Sequence, residues 1–222
     1  MSDALDGPVS LDLLAHDILA RSGLHFTLAT TDAERAAAFR LRHQAVIDHG
    51  WMSAPDGGRH DVHTQDADDR RSARAVKNDG LERDAYDDRA IHVLGWDGEQ
   101  AVATGRLVLP PGLLPTEDSC GIHVEPRGHV ADVGRMTVAS NYQGANHAVF
   151  MSLLARLYLE VRARGYDFAC GIMSARARML VRLLGLQIEV LGPDLVYWGE
   201  PRAPVRFSVM INSAPLTTRR VD

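Results

Sequence analysis

Chemistry is concentrated in the stretch Ala131-Asp-Val-Gly-Arg-Met-Thr-Val-Ala-Ser-Asn-Tyr-Gln-Gly-Ala-Asn-His147. Asp132 can accept a proton, and Arg135 offers the planar guanidinium that pairs twofold with a carboxylate. On a regular strand, side chains three apart point to opposite faces. Here Val130, Val133, Met136 and Val138 alternate imperfectly with small and polar residues, as in a bulged strand that lets both groups approach one cleft. Asn141, Gln143, Gly144 and Asn146 follow. They tolerate tight or left-handed backbone and can turn successive N–H groups to one side, an arrangement suited to an anion at a helix start.

The flanking elements must position these groups. After the loop, Val149, Leu153, Leu154, Leu157, Tyr158 and Val161 recur at helical spacing, predicting a helix from Ala148 to Arg164 that Gly165 stops. Upstream, Ser10 can cap a short helix that Gly23 ends, His25 to Thr30 reads as a first strand, and Asp32 to Ile47 reads as a helix with Ala37, Leu41, Ala45 and Val46 inside. Asp97-Gly98 between Ala90–Trp96 and Ala101–Pro110 is a hairpin signal. The segment from Pro111 to Pro126 reads as irregular; Phe168–Met173 suits a strand buried on both faces, and Ser174 caps a helix through Leu184. Leu186–Leu191 and Val205–Ile211 complete the predicted strands.

The 222 residues at 45% hydrophobic content fit one compact domain over 1–222, with residues 1–24 as a helical extension. Cys120 and Cys170 are too few for a disulfide scaffold, so reduced thiols and a cytoplasmic location are expected. No secretory signal and no run of membrane-spanning length is expected. A net charge of −5 argues against a nucleic-acid partner. Between Met52 and Arg83 apolar residues almost vanish, so a mobile loop is expected. His60 and His63 with Asp56, Asp61 and Asp66 are the one metal-like grouping, but without helical spacing they make a weak signal, and no metal is expected.

The loop Gln143-Gly144-Ala145-Asn146-His147-Ala148 resembles motif A of the GNAT superfamily of N-acyltransferases, whose pattern is Gln/Arg-x-x-Gly-x-Gly/Ala. Further resemblance is to the acyl-homoserine-lactone (autoinducer) synthases and N-acyl amino acid synthases. It rests on Arg42 and Trp51, on Asp84 and Asp87 before the hairpin, on Arg106-Leu107 and Pro110 at its end, and on Asp132 and Arg135 where the family has Glu-x-x-Arg. Together these span about Asp32 to Phe207.

The resemblance implies an α/β (α+β) fold: a GNAT-like mixed, mostly antiparallel central sheet with splayed central strands, flanked by helices. It also implies transfer of an acyl group, on the family pattern a fatty acyl, from a phosphopantetheine thioester to the amine of an amino acid or similar acceptor. No cofactor is held permanently; acyl carrier protein or acyl coenzyme A is the co-substrate. Implied catalytic residues are Asp132, as base or amine-orienting carboxylate, and Arg135. Arg42, Trp51, Asp84, Asp87 and Arg106 fall to the acceptor. Arg42, Arg106 and Arg135 suit a carboxylate or carbonyl, while Asp84 and Asp87 would tether Arg42 or Arg106. Met136, Thr137 and Val138 supply oxyanion donors, and Gln143, Gly144, Ala145, Asn146, His147 and Ala148 hold the donor's phosphate.

Asn146 stands at the central glycine, where a Cβ crowds a pyrophosphate, so a carrier protein is expected over free coenzyme A, steered by Arg176, Arg178 and Arg182. Simpler roles remain for these residues: Arg42 as a solvated charge, Trp51 as a core aromatic, Asp132 as an ion-pair partner of Arg135 or Arg106, and the three later arginines as a solvated helix face. The alternatives for the whole chain are an autoinducer synthase using S-adenosylmethionine and a non-catalytic acyl-binding domain.

Overall fold

The computed structural model describes residues 11–51, 76–77, 80–144, 147–183 and 185–209. Most of the expected 52–83 loop, His60 and His63 included, and the residues Ser10, Ala145, Asn146 and Leu184 lie outside these. Helix α1 (Leu11–Arg21) leads into strand β1 (His25–Leu28) and helix α2 (Asp32–Asp48). Thr31 starts α2: its side chain accepts from the Glu34 N–H, and the Glu34 carboxylate accepts from the Thr31 N–H, 2.8 Å, a reciprocal cap.

The buried face of α2 is Ala38, Phe39, Arg42 and Val46, turned from the expected Ala37, Leu41, Ala45 and Val46. The cause is Arg42, which is only 3% exposed and carries its own face inward toward carboxylate partners.

Short strands β2 (Val76–Lys77) and β3 (Leu81–Glu82) pair with each other, followed by β4 (Ala90–Asp97), β5 (Gln100–Val108), helix α3 (Pro115–Cys120) and β6 (Val130–Val138). Helix α4 (Ala148–Ala163), β7 (Phe168–Ser174), α5 (Ala175–Leu183), β8 (Ile188–Val190), β9 (Leu195–Tyr197) and β10 (Glu200–Ser208) complete the order. The main sheet runs β1-β4-β5-β6-β7-β10-β8, with β9 paired to β10. All its pairings are antiparallel except β6 with β7. Val93, Ala103, Leu107, Ala131 and Val133 bury one face with Leu153, Leu154, Leu157 and Val161 of α4. Close packing there depends on Gly105, where a Cβ would meet Leu157 Cδ1 at 2.7 Å. The other face packs Leu94 on Ala38 and Phe39 of α2, and Val108, Val130 and Cys170 with Leu114 and Val124.

Two irregularities in β6 shape the centre. Arg106 pairs with Gly134 and Thr104 with Thr137, so β6 carries one extra residue, and Arg135 sits in that bulge with φ 52°. The parallel register to β7 covers Val130↔Phe168, Ala131↔Ala169 and Asp132↔Cys170. The β6–β7 pairing ends at Asp132, although the Gly171 backbone still lies so near β6 that a Cβ there would be 2.5 Å from the Val133 carbonyl oxygen.

Helix α3 lies in the segment expected to be irregular. Pro115 opens it, the Glu117 carboxylate accepts from the Leu114 N–H at 3.0 Å, and left-handed Gly121 closes it. Strand β10 begins five residues before the expected Val205, because Pro201 and Pro204 break the strand signal while occupying register positions that still pair.

Candidate active site

On the α2 side of the sheet, Arg42, Arg106 and Arg135 interlock with Glu82, Asp84 and Asp87. Arg42 donates through both terminal nitrogens to Asp87, at 2.8 and 3.0 Å, and through Nε to Glu82. Arg106 Nη1 reaches Asp84 at 2.6 Å and Asp87 at 2.9 Å. Arg135 Nη2 donates to Asp84 at 2.8 Å, its Nε lies 3.2 Å from Glu82, and its Nη1 donates to the Tyr197 hydroxyl at 3.1 Å. The Asp-x-x-Asp spacing works locally: the Asp87 carboxylate accepts from the Asp84 N–H at 2.7 Å, folding the turn before β4. Asp84 and Asp87 thus tether Arg106, and Asp87 tethers Arg42.

Six full charges out of water are tolerable because they cancel and are hydrogen-bonded. Burial pushes the Glu82, Asp84 and Asp87 carboxyls upward, but the neighbouring guanidinium groups override it and hold all of them below the usual carboxylate range. Burial works against charge on Arg42 and Arg135 too, yet Glu82 and its neighbours keep both firmly protonated. His92, edge-on to Phe39, lies 3.7 Å from Asp87; burial pulls its pKa down, with Asp87 opposing.

Asp132 stands apart from this cluster. Register places it on the same sheet face, paired opposite Val108 on β5 and, as the last β6–β7 pair, opposite Cys170. Its carboxylate accepts from the Thr116 N–H of α3 at 2.8 Å and lies 3.6 Å from Cys170 Sγ. Among the described residues it makes no ion pair with Arg106 or Arg135. Burial raises its affinity for a proton, with Thr116 opposing.

Trp51 is not a solitary core ring: His49 stacks on it at 4.5 Å, Trp198 lies at 5.5 Å, and the Arg202 guanidinium is 5.5 Å from its centroid. At the other end of β6, Gln143 donates to the Val138 carbonyl at 2.9 Å, and His147, with φ 49°, starts α4. The His147 ring is bonded to Arg176 of α5 at 2.8 Å, bringing a cation to the α4 N-terminus. Of the three arginines assigned to carrier docking, Arg178 turns inward to the Met173 carbonyl and Asp194, leaving Arg176 and Arg182 on an exposed face with Met179 and Leu183. A cavity of about 230 Å³, edged by Gln44, Asp48, Gln100, Val138 and Ser140, lies between α2 and the ends of β5 and β6.

Glu82, which bridges Arg42 and Arg135, received no role from the sequence, and Tyr197 and Trp198, in a stretch that echoes the family, were not assigned to the site. Glu82 carries only the signal of standing two residues before Asp84, at the edge of a polar stretch. Tyr197 and Trp198 precede Gly199 in a hairpin too short to show periodicity.

With this geometry in place, the comparisons are consistent. The model for the acetyltransferase (GNAT) domain matches residues 59–153. The acyl-homoserine-lactone synthase LasI superposes with a TM-score of 0.65 at 14% identity, over 89% of this chain and 98% of that one. BjaI, a coenzyme A-dependent acyl-homoserine lactone synthase solved with S-adenosylmethionine and isopentyl-coenzyme A, gives 0.62 at 17% identity, over 86% and 84%. FeeM, an N-acyl amino acid synthase from uncultured soil microbes, gives 0.56 at 14%, over 87% and 94%. No curated protein matches by sequence. The chain has a GNAT-like fold, and LasI, BjaI and FeeM share that fold with it. No helix among the described residues is long and apolar enough to cross a membrane.

Proposed function

We propose that this protein is an N-acyltransferase that moves an acyl group, a fatty acyl on the family resemblance of its motifs, from a phosphopantetheine thioester to the amine of an amino acid or amino-acid-like acceptor. The observation that carries the reading is the stretch of β6 beyond Asp132, which no longer pairs with β7 and from which Arg135 joins the buried arginine–carboxylate cluster. There the thioester arm lies against the unpaired edge of β6, and N–H groups of Met136 to Val138 stabilise the oxyanion. The phosphate rests at the α4 N-terminus with Arg176 beside it. Arg135, the least buried arginine of the cluster, receives the acceptor carboxylate. Asp132, whose proton affinity burial raises, takes the amine proton through a water while the C–N bond forms and the C–S bond breaks. Carrier protein is the donor, its acidic surface meeting Arg176 and Arg182.

The resemblance of the Asp84–Asp87–Arg106 element to autoinducer synthases keeps a second reading, lactone formation from S-adenosylmethionine. Mass spectrometry after incubation with acyl carrier protein, mixed amino acids and S-adenosylmethionine separates them. An N-acyl amino acid supports the first reading, a lactone with released methylthioadenosine the second, and binding without product would make this a non-catalytic domain.

A further inference from the structure

Among the described residues, the non-glycine positions with left-handed backbone are Arg135 (φ 52°), His147 (φ 49°) and Trp198 (φ 53°). His147 starts a helix, and the other two touch each other. Trp198 and Gly199, φ 70°, form the two-residue turn closed by the Tyr197↔Glu200 pair between β9 and β10. Positive φ at both positions suits Asn-Gly or Gly-Gly, and a bulky ring at the first position is sterically disfavoured. The strain is matched by contacts no smaller residue could make. The Arg135 guanidinium carbon lies 5.5 Å from the Trp198 ring centroid, and the Trp51 ring lies 5.5 Å away at 45°. The preceding Tyr197 accepts from Arg135 Nη1 at 3.1 Å.

Arg135 needs such support. It hangs from a strand bulge, its Nε is held by Glu82 at 3.2 Å only through charge and not through an aligned hydrogen bond, and its side chain keeps 16% exposure. Asp84 and Tyr197 hold its two terminal nitrogens, which fixes the ends but leaves the faces of the plane open. A ring over one face sets the tilt and leaves an edge to receive a carboxylate.

We propose that Trp198 is a positioning residue for acceptor binding, held in a strained turn so that its ring fixes the Arg135 guanidinium and joins it to Trp51. This rests on the N-acyltransferase reading. The ring acts on Arg135 and not on the thioester, so its loss falls on the acceptor and spares the donor.

The test compares the parent with Trp198→Asn, which favours the left-handed turn but has no ring, and Trp198→Phe, which restores a ring. Trp198→Asn should melt within about 3 °C of the parent, since relief of backbone strain offsets lost packing. Its acceptor KM should rise about 10-fold or more with donor KM within about 2-fold, and Trp198→Phe should return to within about 3-fold of the parent. An unchanged acceptor KM, equal changes in both KM values, no rescue by Phe, or a large loss of melting temperature in Trp198→Asn would each overturn the proposal. If the parent forms no product at all, the acyltransferase reading fails, and the Nε–H resonance of Arg135 then decides this point separately. Loss of the ring should move that resonance in Trp198→Asn; an unmoved resonance refutes the contact.

Discussion

Glu82→Gln probes the charge cluster most directly, because this one carboxylate bridges Arg42 and Arg135. The side chains of Glu82 and Arg42 are 4% and 2% exposed, so solvent screening is slight. Removing one partner of a buried pair costs about 3–5 kcal/mol, chiefly from the charge left behind. Here the lower end applies, since Arg42 keeps two bonds to Asp87, Arg135 keeps Asp84 and Tyr197, and glutamine retains an accepting oxygen. About 3 kcal/mol at roughly 2–4 °C per kcal/mol lowers Tm by about 6–12 °C.

Calorimetry on Glu82→Gln, Arg135→Met and the double variant also measures the coupling. Losing both charges restores neutrality, so the double variant should be more stable than the sum of the singles by about 1–3 kcal/mol. The pH dependence has a definite sign. A carboxyl with a lowered folded pKa contributes stability above the unfolded value of about 4 and loses it as pH falls through the folded value, so the deficit of Glu82→Gln should shrink in acid. A Tm drop under about 2 °C, strict additivity, or a deficit that grows in acid would refute the reasoning.

Asp132→Asn should lower turnover by roughly 10²-fold or more with the fold intact, whereas near-normal turnover with a lowered Tm would reduce Asp132 to a clamp on α3. Its stability signature is opposite to that of Glu82: the raised folded pKa contributes stability at low pH that is lost as pH rises through it, so Asp132→Asn should gain on the parent in melts at increasing pH. Gly171→Ala forces a Cβ against the Val133 carbonyl just past the last β6–β7 pair and should cost roughly 1–3 kcal/mol in urea unfolding while raising donor KM; a silent variant would show that the backbone there is compliant. Arg176→Glu with Arg182→Glu should raise KM for acyl carrier protein about 10-fold and alter acyl coenzyme A less, so equal effects in steady-state assays would remove carrier docking from α5.

Much of the scaffold was legible because it rests on local rules. The α4 helix follows from apolar spacing and Gly165, the β4–β5 hairpin from its Gly98 turn, and the β6 bulge from broken alternation between Val130 and Val138. The inner face of α2 was misread because it depends on distant partners: Arg42, expected to be tethered by an aspartate, is itself on the buried face because Glu82 and Asp87, 40 and 45 residues away, neutralise it. Helix α3 was hidden by its length and prolines, although Pro115 and Gly121 mark its ends.

What the sequence by itself determined is the longer secondary elements, the family likeness and most of the charged residues that meet beside β6, since each depends on residue type at short spacing. Which charges pair was decided only by the tertiary structure. Asp132 and Arg135, three residues apart, end up with different partners: the bulge turns Arg135 to Asp84 and Tyr197, while α3 comes over Asp132 and gives it Thr116. Hydrogen bonds need partners within about 3 Å, and charge attraction weakens with distance and is screened by water until buried, so order along the chain cannot fix the pairing until the sheet has closed.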